Sequence, residues 1–179
     1  MTKEWRNHFE RFEGNCSHFY LDGEGIVTIG IGCVVFEPSI LPMLRRSDNV
    51  PAGIVELTEE YRAVKGMENG HRVDYYGNVC KLYLPDVEIE KLFNQRLSTF
   101  ISGIEDSVTT LEDYPEPAAL ALIDMAFNLG MKGLTHKFPK FMTAFMAKDW
   151  AICARECFRV GIQPDRNDWT RRTFEGLVS

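Results

Sequence analysis

The 179-residue chain is 45% hydrophobic and 12% aromatic, enough for a packed core in one compact domain or two small lobes, and this excludes long disorder. Its formal net charge of −6 argues against a nucleic-acid footprint, because binding phosphates needs clustered Lys and Arg.

The N-terminal segment predicts a helix over residues 3–13, with Thr2 as its candidate cap, Trp5, Phe9 and Phe12 on one face, and Gly14 as a stop. The same segment is charged and lacks the apolar core of a signal peptide, so the expectation is synthesis in the cytoplasm without one. A hairpin follows. His18 to Leu21 forms one strand, Asp22-Gly23-Glu24-Gly25 the turn, and Ile26 to Ile31 the second strand. The longest apolar stretch, Ile26 to Phe36, is interrupted by Thr28, Gly30 and Gly32 and is too short to span a bilayer; no membrane insertion is expected.

Between residues 33 and 83 the pattern weakens, broken by Pro38, Pro42 and Pro51. Thr58 followed by Glu59 and Glu60 predicts a short helix ending near Gly66, and Tyr75-Tyr76-Gly77-Asn78 a turn between short strands. From Pro85 onward Ile89, Phe93, Leu97, Phe100, Ile104 and Val108 recur at helical spacing. A helix over 85–107 would reach roughly 34 Å and could join two lobes. Pro115 and Pro117 open a further helix, Ala118 to Leu129, apolar on nearly all sides and stopped by Gly130. Shorter helices are expected around 139–147, 150–159 and 168–177, the last two capped by Asp149 and Asn167. The five cysteines, Cys16, Cys33, Cys80, Cys153 and Cys157, contain no C-x-x-C pair and read as free thiols; no metal and no cofactor is expected.

Two carboxylates stand out. Glu13 falls at the C-terminal end of the first helix, where the negative end of the helix dipole and nearby aromatics such as Phe12 both favour a protonated carboxyl, as a general acid requires. Asp22 lies nine residues on, at the hairpin turn. A glycosidase needs two carboxylates in different environments flanking the scissile bond, and a helix-end Glu followed by a hairpin Asp could supply them.

Glu13-Gly14, then Tyr20-Leu21-Asp22, then Gly25-Ile26-Val27-Thr28-Ile29-Gly30-Ile31-Gly32 resemble the active-site signature of the T-even phage lysozymes, at the same Glu-to-Asp and Asp-to-Thr spacings. Lys91-Leu92-Phe93-Asn94-Gln95 resembles that family's linking helix, and Ala121 to Gly130 its buried C-terminal-lobe helix. The resemblance covers residues 5–33 and 85–177.

It implies an α+β, lysozyme-like bilobal domain spanning 1–179. The N-terminal lobe would cover 14–84 with an insertion within 34–84, and the linking helix 85–107. The helical lobe would cover 108–179 together with helix 3–13. It implies that Glu13 protonates the glycosidic oxygen, that Asp22 activates or positions a water on the opposite face, and that Thr28 helps hold that water. Glu24, Phe127 and Asn128 match positions that contact substrate, and Arg166, Arg171 and Arg172 are candidates for an arginine neighbouring Glu13. The implied substrate is the peptidoglycan glycan strand, cut with inversion between N-acetylmuramic acid and N-acetylglucosamine. Cys33 departs from the family pattern, which has His there. The alternative reading keeps the fold and makes it a weakly catalytic module that binds peptidoglycan or a protein partner. The acidic charge is unusual for a wall hydrolase, so two routes to the wall are considered. One is release by phage lysis machinery. The other is delivery as an antibacterial toxin, with the insertion receiving an immunity protein.

Overall fold

A computed structural model describes residues 3–37 and 43–178. These divide into two compact units, with the boundary between Arg96 and Leu97. The fold is α+β, as the sequence predicts, with a small antiparallel sheet and eight helices among the described residues.

The first unit opens with α1 (Lys3–Glu13), which buries Phe9 and Phe12. Thr2, its candidate cap, lies outside the described residues. Gly14 ends the helix as expected: its φ is +75°, and its N–H donates to Glu10 O at 3.0 Å. β1 (Cys16–Leu21), β2 (Val27–Gly30) and β3 (Cys33–Val34) form the antiparallel sheet, with Tyr20 opposite Thr28 and Leu21 opposite Val27. Phe9 packs on Phe93 of α4 (Asp86–Ser107) with ring centroids 5.5 Å apart. The sequence reading attaches residues 3–13 to the helical lobe; the contacts group α1 with the sheet-bearing unit. The unit boundary falls inside α4.

The insertion holds two surprises. β4 (Arg45–Arg46) pairs with β5 (Leu82–Tyr83), and between them lie α2 (Ile54–Lys65) and α3 (Val73–Gly77). α2 starts four residues before the predicted Thr58. The Glu56 carboxylate reaches back to accept the Gly53 N–H at 2.7 Å, capping the helix without a Ser or Thr, while Thr58 lies inside and donates to Ile54 O. The segment Tyr75–Asn78, read as a turn between strands from its Tyr and Val content, is the end of a helix and its cap. Tyr76 decides this by burying completely as α3 packs on β1, a tertiary gain of about 1.5–3 kcal/mol that overrides weak strand propensity.

Glu60 of α2 is 7% exposed and accepts the backbone N–H groups of Lys81 and Leu82, which seats β5. Burial raises its pKa above the ordinary 4.5, although those N–H groups pull the other way. A raised acid contributes stability below its unfolded-state pKa and loses it as pH rises through the folded value. Wild-type stability is therefore expected to fall relative to Glu60→Gln as pH climbs above about 4.5. Urea denaturation of both proteins from pH 4 upward checks this, and parallel profiles would refute it.

The second unit contains the rest of α4, a short 3-10 turn at Leu111–Asp113, α5 (Glu116–Lys137), α6 (Pro139–Met146), α7 (Trp150–Glu156) and α8 (Pro164–Glu175). The first half of α5 buries Ala118, Ala119, Ala121, Leu122, Ile123, Met125, Ala126 and Phe127, as its all-round apolar pattern predicts. Gly130, at φ +69° and ψ 160°, breaks the helix where expected, but helical structure resumes through Lys137 with Leu134 buried. Asp149 caps α7 by accepting the Ile152 N–H at 3.0 Å. Asn167 is not a cap, because α8 begins earlier, at Pro164. Its amide instead clasps the Arg159 backbone, accepting the N–H at 3.0 Å and donating to the carbonyl at 2.8 Å.

This unit carries a charged core. Asp124, Arg159 and Arg166 are all at most 2% exposed. Asp124 Oδ2 meets Arg159 Nη1 at 2.9 Å, and Asp124 Oδ1 meets Arg166 Nη2 at 2.9 Å and Nε at 3.0 Å. Arg159 Nη2 also donates to Thr170 Oγ1 at 2.7 Å. Burial pushes the Arg159 guanidinium below its usual pKa, and Asp124 opposes that shift. Phe141, Phe145, Trp150 and Phe174 form an aromatic cluster in the same unit.

Candidate active site

The first unit gathers Glu13, Asp22 and Thr28 around β1 and β2. Glu13 ends α1 and rests on Gly32: a Cβ at residue 32 would lie 2.7 Å from Glu13 Oε2 and 3.0 Å from its Cδ. Gly32 also has φ +60°, so two constraints demand glycine there. Gly32→Ala is expected to lose about 1–2 kcal/mol of stability to backbone strain. A Cβ there would also push the Glu13 carboxyl off its seat. A thermal melt of the variant checks the loss, and an unchanged melting temperature would refute it.

Asp22 opens the hairpin turn, which is self-bonded. Its Oδ1 accepts the N–H groups of Glu24 and Ile26, each at 2.9 Å, and its carbonyl accepts Gly25 N–H at 3.0 Å. These turn bonds engage Oδ1 and the backbone, which orients the carboxylate about a fixed edge. Thr28 is 2% exposed and its Oγ1 donates to Ile26 O at 3.0 Å, which leaves the oxygen's lone pairs to accept. Thr28 faces Tyr20 directly across the ladder.

Tyr20 connects the two acids. Its phenol is pushed up by burial first, then by the Glu13 carboxylate, with Cys16, Asp22 and Cys33 adding to the shift. One buried hydroxyl therefore feels both candidate acids. Cys33 is 4% exposed, and burial pushes its thiol up to about 11, so it is neutral and inert near pH 7. That thiol also feels Arg96 of α4 and Glu13, which places a guanidinium in the neighbourhood of Glu13 within the same unit. The residue signals for Tyr20, Gly32 and Arg96 are present in the sequence, but nothing local there gives them a role. All five cysteines are free thiols, and burial raises each to about 11 or 12.

Glu24 is exposed on the Asp22 turn. The remaining predicted residues belong to the second unit. Phe127 is buried on α5 beside Phe100, at 5.4 Å between centroids, and Asn128 next to it is exposed. Arg166 pairs with Asp124 in the charged core. Arg171 pairs with Asp168 and Glu175, and Arg172 with Asp168, on the surface of α8. No cluster of metal-ligating side chains occurs among the described residues. No helix among them is long and apolar enough to cross a membrane.

A helix-end Glu, a turn Asp and an accepting Thr in one unit have the composition of a two-carboxylate hydrolase site. No curated protein matches the chain. The family described as Phage lysozyme matches residues 10–178, nearly its whole length.

Proposed function

The chain belongs to the phage lysozyme family, a family of lysozyme-type glycosidases that lyse peptidoglycan, and from that premise we propose that it is an inverting muramidase. The bond broken is the β-1,4 link from N-acetylmuramic acid C1 to its glycosidic oxygen. Glu13 gives its proton to that oxygen as the bond breaks. Asp22 takes a proton from a water that Thr28 helps hold, and the water oxygen bonds to C1 from the opposite face. Glu13 ends ionised and Asp22 protonated, and exchange with solvent resets both. Glu24, exposed on the Asp22 turn, is the proposed glycan contact of this unit.

The observation that supports this most is the shared surroundings of Glu13 and Asp22: the phenol of Tyr20 feels both carboxylates, opposite Thr28. Isolated sacculi mixed with the protein should clear. The fragments, reduced with borohydride and weighed by mass spectrometry, should carry muramitol ends. N-acetylglucosaminitol ends would place the cut at the other glycosidic bond, and non-reducible anhydro-muramic ends would replace hydrolysis by an intramolecular transfer. No clearing across pH and salt would favour a binding module.

A further inference from the structure

We propose that the loop joining α2 and α3 is a working part of this site, with Asn69 as a positioning residue for the Asp22 turn. The idea deepens the muramidase reading and rests on it for its kinetic consequence.

The loop lies 46 residues beyond the turn in sequence yet touches it twice. Asn69 Nδ2 donates to Gly23 O at 3.2 Å. The same amide nitrogen lies 3.4 Å from where a Cβ of Gly25 would sit. Gly25 has φ +75°, so the bare glycine serves both the turn's backbone and the close approach of Asn69. The turn's own hydrogen bonds tie Asp22 to Glu24, Gly25 and Ile26. Asn69 is the contact that comes to Gly23 from outside the hairpin.

Asn69 is itself held. Its Oδ1 accepts the Gly70 N–H at 2.7 Å. The hydroxyl of Tyr76, a fully buried residue, donates to Glu68 O at 3.1 Å and accepts the His71 N–H at 3.4 Å, pinning both sides of the loop. His71 stacks on Tyr75 with centroids 3.9 Å apart. α3 in turn leans on β1: His18 Nε2 is 3.2 Å from Val73 O, and Gly77 sits close against the His18 ring. The brace is therefore a closed ring. It runs from β1 through α3 and Tyr76 to the loop, through Asn69 to Gly23, and back through Asp22 into β1. Asn69 restrains the turn through Gly23, and catalytic geometry is sensitive to displacements of about 1 Å.

Two measurements test it. In Asn69→Ala, the Ile26 amide, which is bonded to Asp22 Oδ1, should exchange with solvent about tenfold faster by NMR, while amides of α5 keep their wild-type rates. Unchanged Ile26 exchange overturns the proposal, whatever the protein's activity. On soluble glycan strands the same variant should lose about ten- to a hundredfold in kcat with KM within about twofold of wild type. Asn69→Asp, which keeps the acceptor for Gly70 and removes the donor to Gly23, should show the same kcat loss. Full kcat in both variants overturns the positioning role. Wild-type activity that is absent altogether counts against the muramidase reading alone, since the exchange measurement still decides the brace.

Discussion

Glu13→Gln is expected to abolish lysis while leaving the protein close to wild type in stability. The amide cannot deliver a proton to the glycosidic oxygen. General acid catalysis is worth about 10²–10⁴-fold, and a loss of about 10³ corresponds to about 4 kcal/mol of barrier. Stability should change little. Glu13 sits at the C-terminal end of α1, where a negative charge opposes the helix dipole, while the Arg96 guanidinium nearby favours that charge, so the two effects of neutralising it oppose each other and the net change stays within about 1 kcal/mol. The seat on Gly32 accepts the isosteric amide without a change in volume. Sacculus turbidity and a thermal melt on the same preparation check both halves. An inactive variant with a melting temperature close to wild type separates a catalytic role from a structural one. Residual activity near wild type would remove Glu13 from the mechanism.

Asp124→Ala is expected to destabilise the second unit severely. Asp124 is the carboxylate shared by Arg159 and Arg166, and all three side chains are buried. Its removal brings two guanidinium groups together in a poorly solvated core without their common counter-charge, and it leaves a cavity. Breaking a buried pair in this way costs about 3–5 kcal/mol, a large share of the roughly 5–15 kcal/mol that holds a domain folded. For a chain of this size the melting temperature should fall by on the order of 10 °C. Replacing the whole triad with well-packed apolar residues should be far milder than deleting one member, because no buried charge is then left behind. Urea denaturation followed by circular dichroism checks this. A loss below about 1 kcal/mol would mean that the arginines are satisfied without Asp124.

The elements that could be read along the chain are those whose signals are local. Phe9 and Phe12 at helical spacing followed by Gly14 specify α1, Asp22-Gly23 specifies the hairpin, and the apolar register from Ile89 to Ile104 specifies α4. The apolar run around Ala121–Phe127 specifies the buried half of α5. That Glu13, Asp22 and Thr28 fall on one helix–hairpin unit was legible for the same reason, since all three lie within sixteen residues. Asp149 was legible as a cap because its partner, Ile152, is three residues away.

What stayed hidden depends on partners distant in sequence. Tyr76 makes a helix of a stretch rich in strand formers because its ring finds a buried place against β1. Asn167 resembles a helix cap until the Arg159 backbone claims its amide, and Asp124 looks out of place on an apolar helix until Arg159 and Arg166 arrive from 35 and 42 residues away. Asn69 reads locally as the first half of an Asn-Gly turn; its bond to the carbonyl of Gly23 reaches 46 residues back along the chain. Periodicity and turn chemistry are properties of neighbouring residues and are written into the order of the chain. Burying a charge, seating a carboxyl on a glycine and bracing a turn from outside require the chain to return on itself, and they take form only once the core has closed.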